Sequence, residues 1–190
     1  MVYKAVDFSK GEKIMTTDFN VGAGVKAPRK LLMHFVNVGT GETPEWERLG
    51  AGVEDSSIDT NFETETVNDI LGNSETSVNG ASPSQSFDPF TVRGGSKLAF
   101  MLYEIWKKKE YEKLSKFEML TVTSFVGSEA EGFGVYTEKD CTITFDRIGG
   151  SAYVDMPITV NYSDKKVQGT VIVDKDGKPA FTKAGASISD

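Results

Sequence analysis

Cysteine, histidine and, over one long stretch, positive charge are almost absent from this 190-residue chain. Cys141 stands alone, so no disulfide can close within the chain and a reducing compartment suits it. A lone cysteine at an alternating strand position reads as a small buried hydrophobe rather than a nucleophile. The only histidine, His34, sits mid-strand without a His or Cys companion for zinc, and reads as a core or interface residue. No apolar run approaches the roughly 20 residues of a membrane span. The opening Met-Val-Tyr-Lys-Ala-Val-Asp lacks the apolar centre of a signal peptide, so synthesis and folding in the cytoplasm, without membrane binding, are expected. Gly22-Ala23-Gly24 and Gly94-Gly95 lack the spacing and the lysine of a phosphate loop. Asp174-Lys175-Asp176-Gly177 lacks the later ligands of a calcium loop and reads as a turn. Asn161-Tyr162-Ser163 matches a glycosylation acceptor by chance only, given no secretory signal. No catalytic residue, metal ligand or cofactor site is expected.

The missing positive charge is the most informative of these absences. Between Gly41 and Asp88 there are eleven acids and one base, Arg48, a local charge of −10 in a chain whose total is −7. Such density ordinarily marks a solvated tail. Here the acids are interleaved with Val53, Ile58, Phe62, Val67 and Ile70, so the segment is expected to form strands that pack one face. Glu63 and Glu65 stand at the i, i+2 spacing of a shared strand face and read as a solvated wall rather than a catalytic or calcium pair. The overall negative charge disfavours the phosphate-neutralising contacts of nucleic-acid binding, and is compatible with a surface past which nucleic acid slides.

Residues 1–30 read as an N-terminal arm, with three glycines and six bases against three acids. Strands are expected at Leu31–Val38, in a short piece carrying Trp46, at Val53–Thr60 and Phe62–Asp69 joined as a long acidic hairpin, and at Ser74–Gly80 and Ser84–Phe90. One helix, about residues 96–110, follows from Leu98, Met101, Leu102, Ile105 and Trp106 at three- and four-residue spacing, with Ser96 as N-cap and Lys107, Lys108 and Lys109 at the negative end of its dipole. Trp106 is expected in the core, and Trp46 either caps the core or anchors a subunit contact. Beyond the helix the chain returns to strands at Lys116–Val126, around Cys141–Phe145, at Val154–Tyr162 and at Val167–Asp174, the last two as a hairpin, with Gly127–Gly134 as a loop. The architecture expected is mainly β: an antiparallel β-sandwich or barrel with one packed helix, one domain over residues 31–182, and a flexible tail at 183–190.

Three stretches together resemble the tail tube proteins (major tail proteins) of long-tailed, siphovirus-like bacteriophages. The first, Pro44-Glu45-Trp46-Glu47-Arg48-Leu49-Gly50-Ala51-Gly52-Val53-Glu54, is similar to that family's tryptophan, apolar residue, glycine break and acidic strand. The second runs from Ile58 through Asp69-Ile70-Leu71-Gly72 to Asp88 and resembles the family's acidic hairpin and the strand after it. The third is the helix after Gly94-Gly95 with its basic end, followed by the Phe117–Val126 strand. The resemblance covers residues 40–126; the loop around Glu129–Gly134 and both terminal arms match no pattern of the family. It implies hexameric rings that stack into a hollow tube around a tape-measure protein, contact tail-initiation or distal tail proteins, and later pass DNA without specific binding. On that reading Asp59, Glu63 and Glu65 are candidates for the lumen, and Trp46, Phe62 and Phe87 for subunit contacts. The protein would then be made in the bacterial host cytoplasm and reside in the virion tail. Two other readings stay open: a tube subunit of a contractile injection system, and an acidic β-sandwich module that binds carbohydrate or calcium or decorates a virion.

Overall fold

The computed structural model describes residues 19–41, 43–128, 132–175 and 177–183. Most of the arm at 1–30, the centre of the loop at 129–131 and nearly all of the tail at 183–190 lie outside the described residues. The fold is mainly β with one α-helix. Its strands are β1 (Leu32–Asn37), β2 (Trp46–Arg48), β3 (Ile58–Asp59), β4 (Phe62–Asn68), β5 (Ser74–Ala81) and β6 (Ser84–Phe87), then, after helix α1 (Lys97–Lys108), β7 (Phe117–Ser128), β8 (Gly132–Phe145), β9 (Ile158–Asn161), β10 (Lys166–Val173) and β11 (Pro179–Lys183). Among the described residues nine strands form one antiparallel sheet in the order β2-β1-β7-β8-β9-β6-β3, with β10 and β11 added through β8, and β4 and β5 pair only with each other.

β8 divides this sheet. One edge pairs along its length with β7, whereas the other pairs first with β10, from Phe133 to Glu138, and then with β9, from Thr142 to Phe145. The change of partner falls at Lys139 and Asp140, where the β7 register shifts and Asp140 takes φ 57°, a bulge that bends the strand. Alternate residues of the central strands therefore feed two cores. Val36, Phe117, Met119, Cys141, Ile143, Ile158 and Val160 join Phe87, Leu98, Leu102 and Ile105 beneath the helix. Phe35, Leu120, Val122, Val135 and Val171 form a second core on the opposite face, flanked by Trp46, Phe133 and Phe181. His34 lies between β1 neighbours at 2 % exposure, its Nδ1 3.3 Å from Thr121 Oγ1 and its ring edge-on to Phe87. Burial, with a smaller contribution from the positive charge of Arg29, lowers its pKa to about 4.

The helix forms where its spacing predicts. Ser96 Oγ accepts from Ala99 N at 3.2 Å, and Lys109, in the left-handed region at φ 58°, turns its N–H back to Ile105 O and Trp106 O. Glu47 of β2 supplies a second cap, accepting from Ser96 Oγ at 2.6 Å, Lys97 N at 2.8 Å and Leu98 N at 3.0 Å. A carboxylate thus satisfies free N–H groups at the positive end of the helix dipole.

Several expectations need correction. The acidic hairpin is β4–β5, not Val53–Thr60 with Phe62–Asp69: only Ile58–Asp59 of the former is strand, and it pairs with β6. Asn61, at φ 46° with its amide on Ser82 O and Ser84 Oγ, turns the chain out of the main sheet between the two. Val154–Tyr162 shrinks to Ile158–Asn161, because Asp155 is paired with Gly149 in a tight loop ahead of Pro157. β9 and β10 are not a hairpin; Ser163 bonds Lys139 O, and the chain crosses at the β8 bend to the other half of that strand. The Gly127–Gly134 loop is shorter than expected, since β7 runs to Ser128 and β8 begins at Gly132. A bulge in β7 near Ser124–Gly127 frees backbone carbonyls there, and Asn20 accounts for three of the bonds: its N–H reaches Phe125 O, and its amide reaches Ser124 O and Gly127 O. β11 has no counterpart among the expected strands.

Candidate functional site

Within the acidic segment two groups of carboxylates have different roles. Some of its carboxylates hold the fold. Besides Glu47 at the helix, Glu45 pairs with Lys97 at 2.7 Å, and Asp88 lies 3.4 Å from Arg147, which also pairs at 3.1 Å with Asp155 outside the segment. Four more, Glu63, Glu65, Asp69 and Glu75, stand on the β4–β5 ribbon, which has no base between Phe62 and Ala81. Strand alternation puts Glu63, Glu65 and Val67 on one face, and pairing across the ribbon adds Glu75 opposite Val67. Asn79, the extra residue where the register shifts, donates to Glu65 Oε2 at 2.9 Å. The other face carries Thr64, Thr66 and Asn68 against Val78, Thr76 and Ser74, with Thr66 bonded to Thr76 and Ser74 to Asn68. One side is therefore a row of carboxylates and the other an uncharged hydroxyl and amide ladder.

Among the described residues no cation comes within ion-pair distance of Glu63, Glu65 or Glu75. Such a row repels anions over about 8 Å, a Debye length at physiological salt. Among the same residues no group of three or more His, Cys, Asp or Glu side chains is arranged to hold a metal ion. Cys141 is fully buried, with its thiol pushed up to about 11, mainly by burial.

The structure brings Glu63 and Glu65 together, as their spacing predicts. It does not bring Asp59 into that row: Asp59 ends β3, at the edge of the main sheet. Phe62 opens the ribbon and is exposed, whereas Trp46 is half-buried against the second core. Phe87 cannot serve a subunit contact; it is 1 % exposed, because β6 lies next to β9 and turns that ring into the core under the helix. Trp106 is the reverse case. It is 48 % exposed, because only Leu98, Ala99, Leu102 and Ile105 lie within the arc of the helix that meets the sheet.

Three features escaped the sequence reading. Glu75 joins the carboxylate row only through cross-strand register. Phe100, Tyr103 and Trp106 form a solvent-facing aromatic stripe on α1, with the Tyr103 and Trp106 rings 6.1 Å apart. A signal for this was present: eight of the twelve residues following Ser96 are apolar or aromatic, more than one buried stripe can absorb. Ile70 and Leu71, at the ribbon tip, are 103 % and 81 % exposed.

No known protein family matches the sequence, and no curated protein matches it. Among solved structures, a chain of the sheath–tube complex of an extracellular contractile injection system is 14 % identical, with a TM-score of 0.46, covering 78 % of this chain and 95 % of that one. A chain of the anti-feeding prophage cap, which terminates its tube, gives the same identity and score over 80 % of this chain and 95 % of that one. A type six secretion system protein is 14 % identical with a TM-score of 0.34, over 81 % and 92 % of the two chains. Likeness at this level assigns no function, so the site is read from its own residues.

Proposed function

We propose that this chain is a structural subunit that assembles with copies of itself into stacked hexameric rings, forming the hollow tail tube of a long-tailed bacteriophage. The observation that carries the reading is the β4–β5 ribbon, an exposed sheet of its own with a base-free carboxylate face at Glu63, Glu65 and Glu75. A ribbon with free edges and no core of its own gains stability by joining a neighbour's strands, and ring closure removes those edges. Carboxylates facing the bore would keep DNA phosphates from adhering, so that DNA slides. The resemblance in residues 40–126 supports the same assignment, and with it a tape-measure protein and tail-initiation or distal tail proteins as partners. On this reading the subunit is made in the host cytoplasm and resides in the virion tail.

Electron microscopy of the purified chain at high concentration, alone and with its tail-initiation partners, tests the proposal. Rings or tubes with a bore wide enough for duplex DNA are the expected result. Tubes that recruit a contractile sheath would place the subunit in an injection apparatus instead. A chain that stays monomeric with those partners, and is stabilised by calcium or a carbohydrate, would be a binding module. Within the tube reading, Glu63→Lys with Glu65→Lys leaves rings intact and impedes DNA passage. Loss of rings with no effect on passage would remove those residues from the bore.

A further inference from the structure

β7 outruns its neighbour β1. Their pairing ends at Thr123, opposite Leu32, yet β7 continues to Ser128. On its other side the register with β8 steps from Thr123 opposite Gly134 to Gly127 opposite Phe133, so residues 124–126 bulge from the ladder. Gly127 holds that shape: it takes φ 91°, and a Cβ there would collide with Gly132 O. The edge beyond Thr123 therefore carries backbone carbonyls that β1 does not reach. Asn20 does reach them. Its N–H donates to Phe125 O at 2.9 Å, and its side-chain amide donates to Ser124 O and Gly127 O, both at 2.8 Å. An amide has the two side-chain hydrogens that this pair of acceptors needs, and a carboxylate has none. Phe19 pairs with Val126, and its ring, 66 % exposed, lies 5.8 Å from that of Phe125.

The chain that follows this plug is held by little else. Residues 22–28 are exposed, and among the described residues 21–28 hydrogen-bond only within that segment and to Leu31. Neither core includes a residue between 19 and 28. The order of the segment ahead of Arg29 thus depends on the contacts of two residues at a bulge. A segment with so few buried contacts opens locally, at a much smaller free energy than the sheet it rests on.

We infer that Phe19 and Asn20 form a releasable latch on the β7 bulge, with the Asn20 amide as its catch. Closed, the latch covers the carbonyls of Ser124, Phe125 and Gly127 and fixes where the N-terminal residues join the domain. Open, it frees residues 19–28 as one unit and bares the bulged strand edge, while both cores stay intact. An uncovered edge of this kind is a surface that another strand can pair with, so the latch governs access to it. This inference stands on the geometry of the bulge and does not depend on the tube reading.

Hydrogen exchange of the full chain, followed residue by residue by NMR, tests it. The Asn20 amide should exchange through a local opening, at a rate that low denaturant leaves unchanged. The Leu120 and Val122 amides of β7 should exchange by global unfolding and accelerate with denaturant. Asn20→Ala, and the isosteric Asn20→Asp, should each speed exchange at residue 20 by roughly 10- to 30-fold, for the loss of two hydrogen bonds. Both variants should leave the melting temperature and the rates at Leu120 and Val122 as they are. An Asn20 amide that follows the denaturant dependence of β7 would make the segment part of the core and overturn the latch. Undiminished protection in Asn20→Asp would remove the amide as the catch and overturn it too. Phe19→Cys with Val126→Cys in one chain gives a further check, since Cys141 is buried. A bond within the single chain is expected, and linkage only between chains would show the bulge taking the plug of a second copy, overturning a latch closed by its own chain.

Discussion

β7–β8 and β4–β5 are both antiparallel pairs with alternating side chains, and they have opposite fates. In β7, Phe117 and Met119 face one core while Leu120 and Val122 face the other, so both sides of the strand are buried. In β4 every residue is exposed, although Phe62 and Val67 alternate with glutamates much as a half-buried strand would. What differs is the cover. β7 lies between β1 and β8 and beneath a helix, whereas among the described residues β4 has one partner and no second layer. A two-stranded ribbon is marginal alone, so the stability of this chain resides in the main sheet, and the ribbon is free to serve contacts.

That division can be broken at the core first. Phe87→Ala should cost about 3–5 kcal/mol in denaturant unfolding, the range for truncating a fully buried aromatic ring. A loss near that of an exposed site would mean β6 is not anchored as described. Acid comes next. Below pH 6.5 the unfolded chain protonates His34, whereas the folded chain resists until about pH 4. Stability present above 6.5 is therefore lost as pH falls across that window, by roughly 3 kcal/mol in all. An NMR titration of the imidazole should show a midpoint near pH 4, and one near 6.5 would mean that the ring reaches water.

A smaller effect separates the two groups of acids. Glu47→Ala should lower stability by about 1–2 kcal/mol, because three donors at the start of α1 lose their acceptor. Glu63→Gln, Glu65→Gln and Glu75→Gln together should shift it by less than about 0.5 kcal/mol, as exposed sites without ion-pair partners do. If the triple variant unfolded more readily than Glu47→Ala, the ribbon would be part of the stabilising core and the comparison would fail.

The elements that were legible are those governed by short-range chemistry. Ser96 and the lysines bracket the helix, an apolar run marks β1 and alternation marks β7, and the acids at 63 and 65 share a face because strand residues two apart must. The misplaced elements depend on distant partners. Ile58–Asp59 pairs with β6 rather than with β4, and Val78 and Glu75 rather than Val53–Thr60 complete the hairpin. Phe87 and Trp106 exchange their expected places for the same reason: a pattern of apolar residues says that a face exists, not what will cover it.

By itself the sequence determined the β class, the single helix, the isolation of Cys141 and His34, and a long segment almost free of positive charge. These follow from residue types and their local spacing. Only the tertiary structure decided that β8 bends at Asp140 to divide its partners between two cores, that Glu47 is spent on capping a helix, and that Glu75 joins Glu63 and Glu65 on an exposed ribbon. Each of those outcomes depends on which strand lies beside which, and that is set by long-range burial and backbone pairing rather than by any run of neighbouring residues.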